Sequence, residues 1–423
     1  MKGLKGVALA LVAGGLCLVL LLTGAVPVCE AKPDGKVVKI GYICAWTGPL
    51  ATTAAPVHRG CFDYIEYINE QGGIDGIEVQ AVWEDYGSAA PRSIPIHKRM
   101  VQAGVVLEIH PEEGQAATVL PRMIRDEIPG IYVAGGTSPA LITEPAWFVH
   151  SGPEFENIFS FITKWMREGW TEKRPMRLGY FHIDTPTVNV LMTNITPYLK
   201  EIGVEVVGEE RALIFGVIDT TVEWLRLAAK KPDWVLITHA GATVAVMLKD
   251  AKRLGLQEKG IKFMSDIISL QEEQIRVVGK ASEGWYKASY EPTPVTYPDC
   301  PMVKTVVNAA RKYRGSDLEV GMMYVKGWII SAVACEAVRI AIEEVGFENL
   351  SGHAVRNALF KVKDFDTGLV APITITEDRP HFPGSVYFAR VEEGKFVRLT
   401  DFMEVHRLYH YVIRDGEVYL ERI

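Results

Sequence analysis

Cysteine is scarce in this chain, with six among 423 residues. The four beyond the N-terminal leader, Cys44, Cys61, Cys300 and Cys335, include no C-x-x-C pair. A thiolate metal site or a dithiol redox centre relies on that spacing, so neither class is supported. Excess positive charge is also missing. Lys and Arg number 45 against 52 Asp and Glu, a net charge of −7, which argues against nucleic acid or an anionic membrane surface as main partner. Signatures of catalysis are absent too: no G-x-S-x-G, no H-E-x-x-H, no P-loop, and no G-x-G-x-x-G after the first strand. The ten histidines are scattered, and His97 and His110 are set apart by a helix and a strand pattern. No cofactor or metal is therefore expected. Low-complexity stretches and Pro/Ser-rich linkers are lacking as well.

What is present begins with a leader. "MKGLKGVALALVAGGLCLVLLLTGAVPVCEA" carries Lys2 and Lys5, an apolar run from Val7 to Val28, then small residues. This is the pattern of a secretory signal, ending at about residue 31, with cleavage after Ala25 or Ala31. An uncleaved run of roughly 20 apolar residues would reach across a bilayer, and Cys29 as a lipidated first residue is a further reading. All three place the protein outside the cytoplasm, in the periplasm or extracellular space. In an oxidising compartment Cys44 and Cys61 are the pair to consider for a disulfide; two buried free thiols are the other reading.

From Val37 the sequence alternates strand and helix. "KVVKIGYICA" is a β-branched apolar run suited to a buried parallel strand. "APVHRGCFDYIEYINEQGG" repeats apolar residues at helical spacing and stops at Gly72-Gly73. "IEVQAVWED", "VVLEI" and "GIYVAGG" read as strands, "SIPIHKRMVQAG" and "AATVLPRMIRDE" as helices. A loop through "FVHSGPEFENIFSFITKWMREG" precedes a second series: "RLGYFHI", "VEVVGEERAL", "DWVLITHA" and "IKFMSD" as strands with helices between them. Later, "VGMMYVKGWIISAVACEAVRIAIEEVG" is a long helix, and the tail from Pro372 reads as short strands and turns. Repeated βα units specify a parallel sheet covered by helices. With 423 residues there is enough chain for two such α/β cores.

Two exported α/β lobes without catalytic motifs fit a cleft that closes on a small ligand. On these residues the chain resembles the type I periplasmic binding proteins, the branched-chain amino acid branch of ABC-transporter solute receptors. The carriers are "KIGYICAWTGPLA", "GCFDYIEYINEQGGIDGIEVQAVWED", "AGGTSPALIT", "YLKEIGVEVVGEE", "KPDWVLI", "AKRLGL", "KASEGWYKASYEP" and "DFDTGLVAPITIT…GKFV", taken in order. The resemblance implies an α/β Venus-flytrap fold, two Rossmann-like lobes with parallel sheets joined by a three-crossover hinge. Residues 37–155 with about 286–345 would form the first lobe. Residues 156–285 with about 346–423 would form the second, including the C-terminal strands. It further implies a non-enzymatic, monomeric receptor whose partners are a small organic solute and ABC permease subunits. A ligand-sensing module of the same fold is the alternative, as is a binder of aromatic compounds rather than an amino-acid-like solute.

Carried over residue by residue, the resemblance places first-lobe contacts at Trp46 and Thr47, at the turn containing His110, Glu112 and Glu113, and at Gly136, Thr137 and Ser138. Second-lobe contacts would come from Asp184, Thr187, His239 and Asp266. In amino-acid-binding relatives, hydroxyl residues and bare N–H groups at helix starts hold the ligand carboxylate. Here "HPEEG" stands in place of a serine-rich turn. Glutamates at a helix start favour its positive dipole end and could face solvent. In the cleft they would repel an anion and select a neutral or cationic group. Trp46 and Tyr86 lie at strand ends facing the presumed cleft, whereas Trp285 and Tyr324 read as core residues.

Overall fold

The computed structural model describes residues 35–214 and 216–423. The leader and the alternatives for its processing fall outside the described residues.

The first sheet contains β1 (Val37–Cys44), β2 (Glu78–Asp85), β3 (Val105–His110), β4 (Gly130–Tyr132) and β5 (Phe148–His150). Their order is β2-β1-β3-β4-β5 and every neighbour pair is parallel. Helices α1 (Ala51–Glu70), α2 (Ser93–Gln102) and α3 (Glu113–Arg125) make the connections. The β-branched runs read from the sequence bury as expected: Val38, Ile40 and Tyr42 of β1 are at most 2% exposed. Burying such a side chain stabilises by about 1.5–3 kcal/mol.

The second sheet runs β12-β11-β10-β9-β8-β6-β7. Strands β6 (Met176–Ile183), β7 (Val204–Ala212), β8 (Trp234–Thr238), β9 (Lys262–Ser265) and β10 (Tyr286–Ser289) are parallel. Between them lie α5 (Pro186–Glu201), α6 (Thr221–Ala229), α7 (Thr243–Arg253) and α8 (Glu272–Val278). Strands β11 (Ser385–Glu392) and β12 (Lys395–Arg398) add antiparallel to this edge, and β13 (Met403–Glu404) pairs with β11. A two-stranded ribbon, β14 (Tyr409–Arg414) with β15 (Glu417–Arg422), ends the chain.

The stretch expected to be a loop, residues 148–169, instead holds β5 and helix α4 (Phe155–Glu168). Ile158, Phe159, Ile162 and Met166 form a buried stripe on α4. That stripe has the helical i, i+4, i+8 spacing, obscured in the sequence by apolar residues on the other face.

Helix α10 (Met322–Val345) fills the first core and lies directly on α1. The two backbones touch at glycines: a Cβ on Gly60 would come within 1.9 Å of the Tyr324 carbonyl oxygen, and one on Gly327 within 1.9 Å of that of Val57. Helix α9 (Pro301–Arg314) and α11 (Gly352–Leu359) complete this lobe.

The chain crosses between the cores three times: after His150, between Ser289 and Pro301, and between Phe382 and Ser385. The last two crossings differ from the expected boundaries. Tyr286–Ser289 hydrogen-bonds into the second sheet. Val355, Leu359, Leu369 and Ile373, expected in the second lobe, pack in the first core. Alongside the crossings Lys326 pairs with Glu291 at 3.2 Å, both nearly fully buried.

Candidate ligand-binding site between the lobes

A cavity of about 490 Å³ opens where the C-terminal ends of β1, β3 and β4 face the second lobe, the position at which open parallel sheets hold ligands. Its volume falls in the range of roughly 300–1,000 Å³ found for small-organic-ligand pockets. The first lobe supplies Leu50, Thr53 and Val57 around the start of α1, the Pro111–Gly114 turn, and Tyr132 to Ala134. The second supplies Phe155, Ile183, the Thr185–Val188 start of α5, Ile214, Ala240 and Ile268. Met323 of α10 also reaches it.

The "HPEEG" turn has a specific arrangement. Pro111 precedes the helix rather than opening it, and Glu112 is the extended N-cap residue of α3. Its carboxylate accepts the N–H of Gly114 at 2.8 Å and of Gln115 at 2.7 Å. Those are two of the donors that a helix start otherwise offers to a bound anion. Glu112 therefore fills its own anion site. Burial pushes its carboxyl above the usual carboxylate range; the two N–H bonds oppose that and the neighbouring Glu113 reinforces it.

Glu113 points the other way. Thr187 Oγ1 of α5 donates to Glu113 Oε2 at 2.7 Å, linking the lobes across the cleft. The N–H of Gly241 donates to Thr53 Oγ1 at 3.3 Å, a second bond between lobes. The lobes are thus in a closed arrangement.

Glu112, Glu113 and Thr187 line the cavity; the other residues named from the sequence lie elsewhere. Trp46 packs within its own lobe against His58, Phe62 and Trp83, with the Arg59 guanidinium over its ring at 5.6 Å. Its N–H and the Thr47 hydroxyl are both bound by Asp85, at 3.0 and 2.6 Å, which turns the loop back on β2. His110 is fully buried between Glu108, Gln115 and Phe148. Tyr86, also buried, lies beside Glu112. Gly136, Thr137 and Ser138 sit at the first crossing, where Thr137 Oγ1 donates to the Gly152 carbonyl at 3.0 Å and the Ser138 N–H to His150 Nδ1 at 3.4 Å. Asp184 accepts from Asn189 at 2.8 Å. His239 is buried against Ala240 and the Ala212 carbonyl. Asp266, fully buried, accepts the N–H groups of Ile268 and Ser269 at 3.1 and 2.8 Å and the Ser269 hydroxyl; burial pushes its carboxyl up to about 6. Cys44 and Cys61 are buried free thiols, not a disulfide: Cys44 donates to the Tyr42 carbonyl and Cys61 to that of Gly327. Trp285 and Tyr324 lie in the cores.

The lining residues that sequence reasoning missed are mostly apolar, such as Leu50, Phe155 and Ile268, and their signal is indistinguishable from that of core residues. Among the described residues no metal-holding group of His, Cys, Asp and Glu is found, and no helix is long and apolar enough to cross a membrane.

The sequence matches the periplasmic binding protein family over residues 37–395. The chain belongs to that family. Solved structures with the same two-lobe fold include a branched-chain amino acid ABC transporter protein from Thermus thermophilus with bound valine, 19% identical, TM-score 0.78, covering 87% of this chain and 97% of that one. A fatty acid ABC transporter substrate-binding protein from Thermomonospora curvata is 18% identical, with TM-score 0.75 and coverages of 87% and 92%. A solute-binding protein from Rhodopseudomonas palustris HaA2 in complex with p-hydroxybenzoic acid is 19% identical, with TM-score 0.74 and coverages of 88% and 98%. A search of curated proteins returns no match. In this periplasmic binding protein the β14–β15 ribbon lies past the matched region. It docks on the second lobe through Asn157, whose side chain bonds the backbone of Leu408 and Tyr409.

Proposed function

We propose that this protein is an exported, non-enzymatic receptor of an ABC importer. It binds a small organic solute between its lobes as a monomer and presents the closed form to the membrane permease. The observation that carries this reading is the cavity between the lobes, bridged by the Glu113–Thr187 hydrogen bond. The bond favours the closed form, and a solute that touches lining residues of both lobes binds that form more tightly than an open one, which couples occupancy to closure. The ABC-transporter proteins of the same fold support the assignment. An aromatic solute is the second reading, favoured by Phe155 and Tyr132 in the lining and by the p-hydroxybenzoate complex of the Rhodopseudomonas protein.

The test is small-angle scattering of the leader-free chain, titrated with amino acids, amides, amines and aromatic acids. A ligand should reduce the radius of gyration and raise the melting temperature, since saturation at one hundred times Kd adds about 2.7 kcal/mol. Turnover of the bound compound, or no response to any class, would remove the receptor reading.

A further inference from the structure

We infer that Glu112 is a specificity residue that stands in for a ligand carboxylate, so that the cleft takes apolar solutes with an uncharged or cationic donor headgroup, carboxamides and amines, and rejects carboxylic acids. This deepens the receptor reading and rests on it.

Three observations converge. The N–H groups of Gly114 and Gln115 are already bonded by the Glu112 carboxylate, so a second anion arriving there must displace the first. The cavity lining holds two glutamates and, among the described residues, no lysine, arginine or histidine. The nearby buried ammonium groups are held elsewhere: Lys326 pairs with Glu291 at 3.2 Å, and Lys287 bonds the Leu270 carbonyl. A ligand carboxylate would therefore lose water, meet like charge at short range and gain no counter-charge.

A donor headgroup meets the opposite conditions. Among the described residues, Glu113 takes only the Thr187 hydroxyl, on Oε2, which leaves acceptor capacity, since a carboxylate has about four lone-pair sites. On the facing lobe, Thr185 is the N-cap residue of α5 but its side chain does not cap the helix, and Pro186, the first helical residue, has no N–H to give. The N–H groups of Thr187 and Val188 thus lack a capping side chain where both residues line the cavity. An amide can give its N–H to Glu113 and its carbonyl to that helix start. Leu50, Val57, Val133, Phe155, Ile268 and Met323 enclose the apolar body.

The experiment is equilibrium dialysis of the leader-free chain against a defined equimolar library of amines, carboxamides and carboxylic acids on matched butyl, hexyl and phenylethyl bodies. Mass spectrometry reads the retained compounds. Wild type should retain amides or amines about tenfold or more over the matched acids. Glu112→Ala, which bares both N–H groups, should raise retention of the acids by about tenfold, and Glu112→Gln, which keeps a cap without charge, should fall between. Circular dichroism confirms that each variant is folded. Acids retained by wild type as well as amides, or a ranking unchanged in both folded variants, would overturn the inference. Retention of no class by folded wild type would instead overturn the receptor reading and this inference with it.

Discussion

Thr187 and Glu113 stand on different lobes, yet the threonine hydroxyl donates to the glutamate carboxylate at 2.7 Å. The pair exists only while the cleft is shut, so it acts on the open–closed equilibrium and not on the folding of either core. Thr187→Val removes the donor at nearly constant volume. A hydrogen bond to a charged acceptor contributes about 1.5–3 kcal/mol, so ligand release should quicken by about tenfold or more. Melting of the ligand-free protein should shift little. Stopped-flow tryptophan fluorescence reads the release, and an unchanged rate would mean that the bond contributes nothing to closure.

Glu112 caps α3 through the N–H groups of Gly114 and Gln115. Independently of any ligand, Glu112→Ala should cost about 0.5–2 kcal/mol of stability, the usual effect of losing an N-cap. Urea unfolding measures this through a lower midpoint at unchanged slope. No loss would show that water caps the helix equally well.

Gly60 and Gly327 each lie where a methyl group would meet a carbonyl oxygen of the facing helix at 1.9 Å. Alanine at either position must push α1 and α10 apart, and overpacking of this kind costs about 1–3 kcal/mol or more. Both variants should melt several degrees lower or accumulate as insoluble protein. Gly394→Ala, at a surface turn with open space around it, provides a contrast, although its φ of +72° adds local strain.

Burial lowers His58 and His150 to about 3 each. His58 accepts the Ala45 N–H at 3.1 Å, a role only the neutral ring can fill. A base whose folded pKa is depressed contributes stability above its unfolded value near 6.5 that is lost as pH falls towards 3. At pH 5 the loss should be about 2 kcal/mol per histidine. Asp266 works in the other direction: its carboxyl, raised to about 6, favours the folded state as it protonates and offsets part of the loss. Net stability should fall between pH 6.5 and 4, and His58→Gln with His150→Gln should flatten the slope. Thermal unfolding against pH checks both.

Cys44, Cys61 and Cys335 are buried thiols, while Cys300 is partly exposed. Burial pushes the Cys61 thiol up to about 12, and the thiolate is the reactive species. A thiol reagent should label the folded, leader-free chain at Cys300 alone and label all four after denaturation. Native labelling of any number other than one would contradict this.

Much of the fold was legible because buried parallel strands announce themselves as short β-branched runs, and β1, β3 and β8 coincide with such runs. Helix α4 was hidden because Phe161 and Trp165, off the buried face, blur its stripe. The crossing points were hidden because Val355, Leu359 and Ile373 look alike whichever core receives them. At the site, the charges were informative and the geometry was not. Glu112 and Glu113 stood out as departures from an expected turn, but nothing in "HPEEG" says that one carboxylate turns inward to its own helix while the other reaches Thr187. Trp46 and Thr47 were drawn away by Asp85, a partner 38 or more residues distant.

The three crossings carry a consequence for the order of assembly. The first core waits for Leu359, Ile373 and Phe382, and the second for Val386 and Phe388 of β11. A growing chain therefore cannot complete either half until nearly all of it exists, because contacts between distant parts must wait for the last of them. In the exported receptor proposed above, a chain that closes its cores late has longer to cross a membrane before it folds, a consequence of this topology.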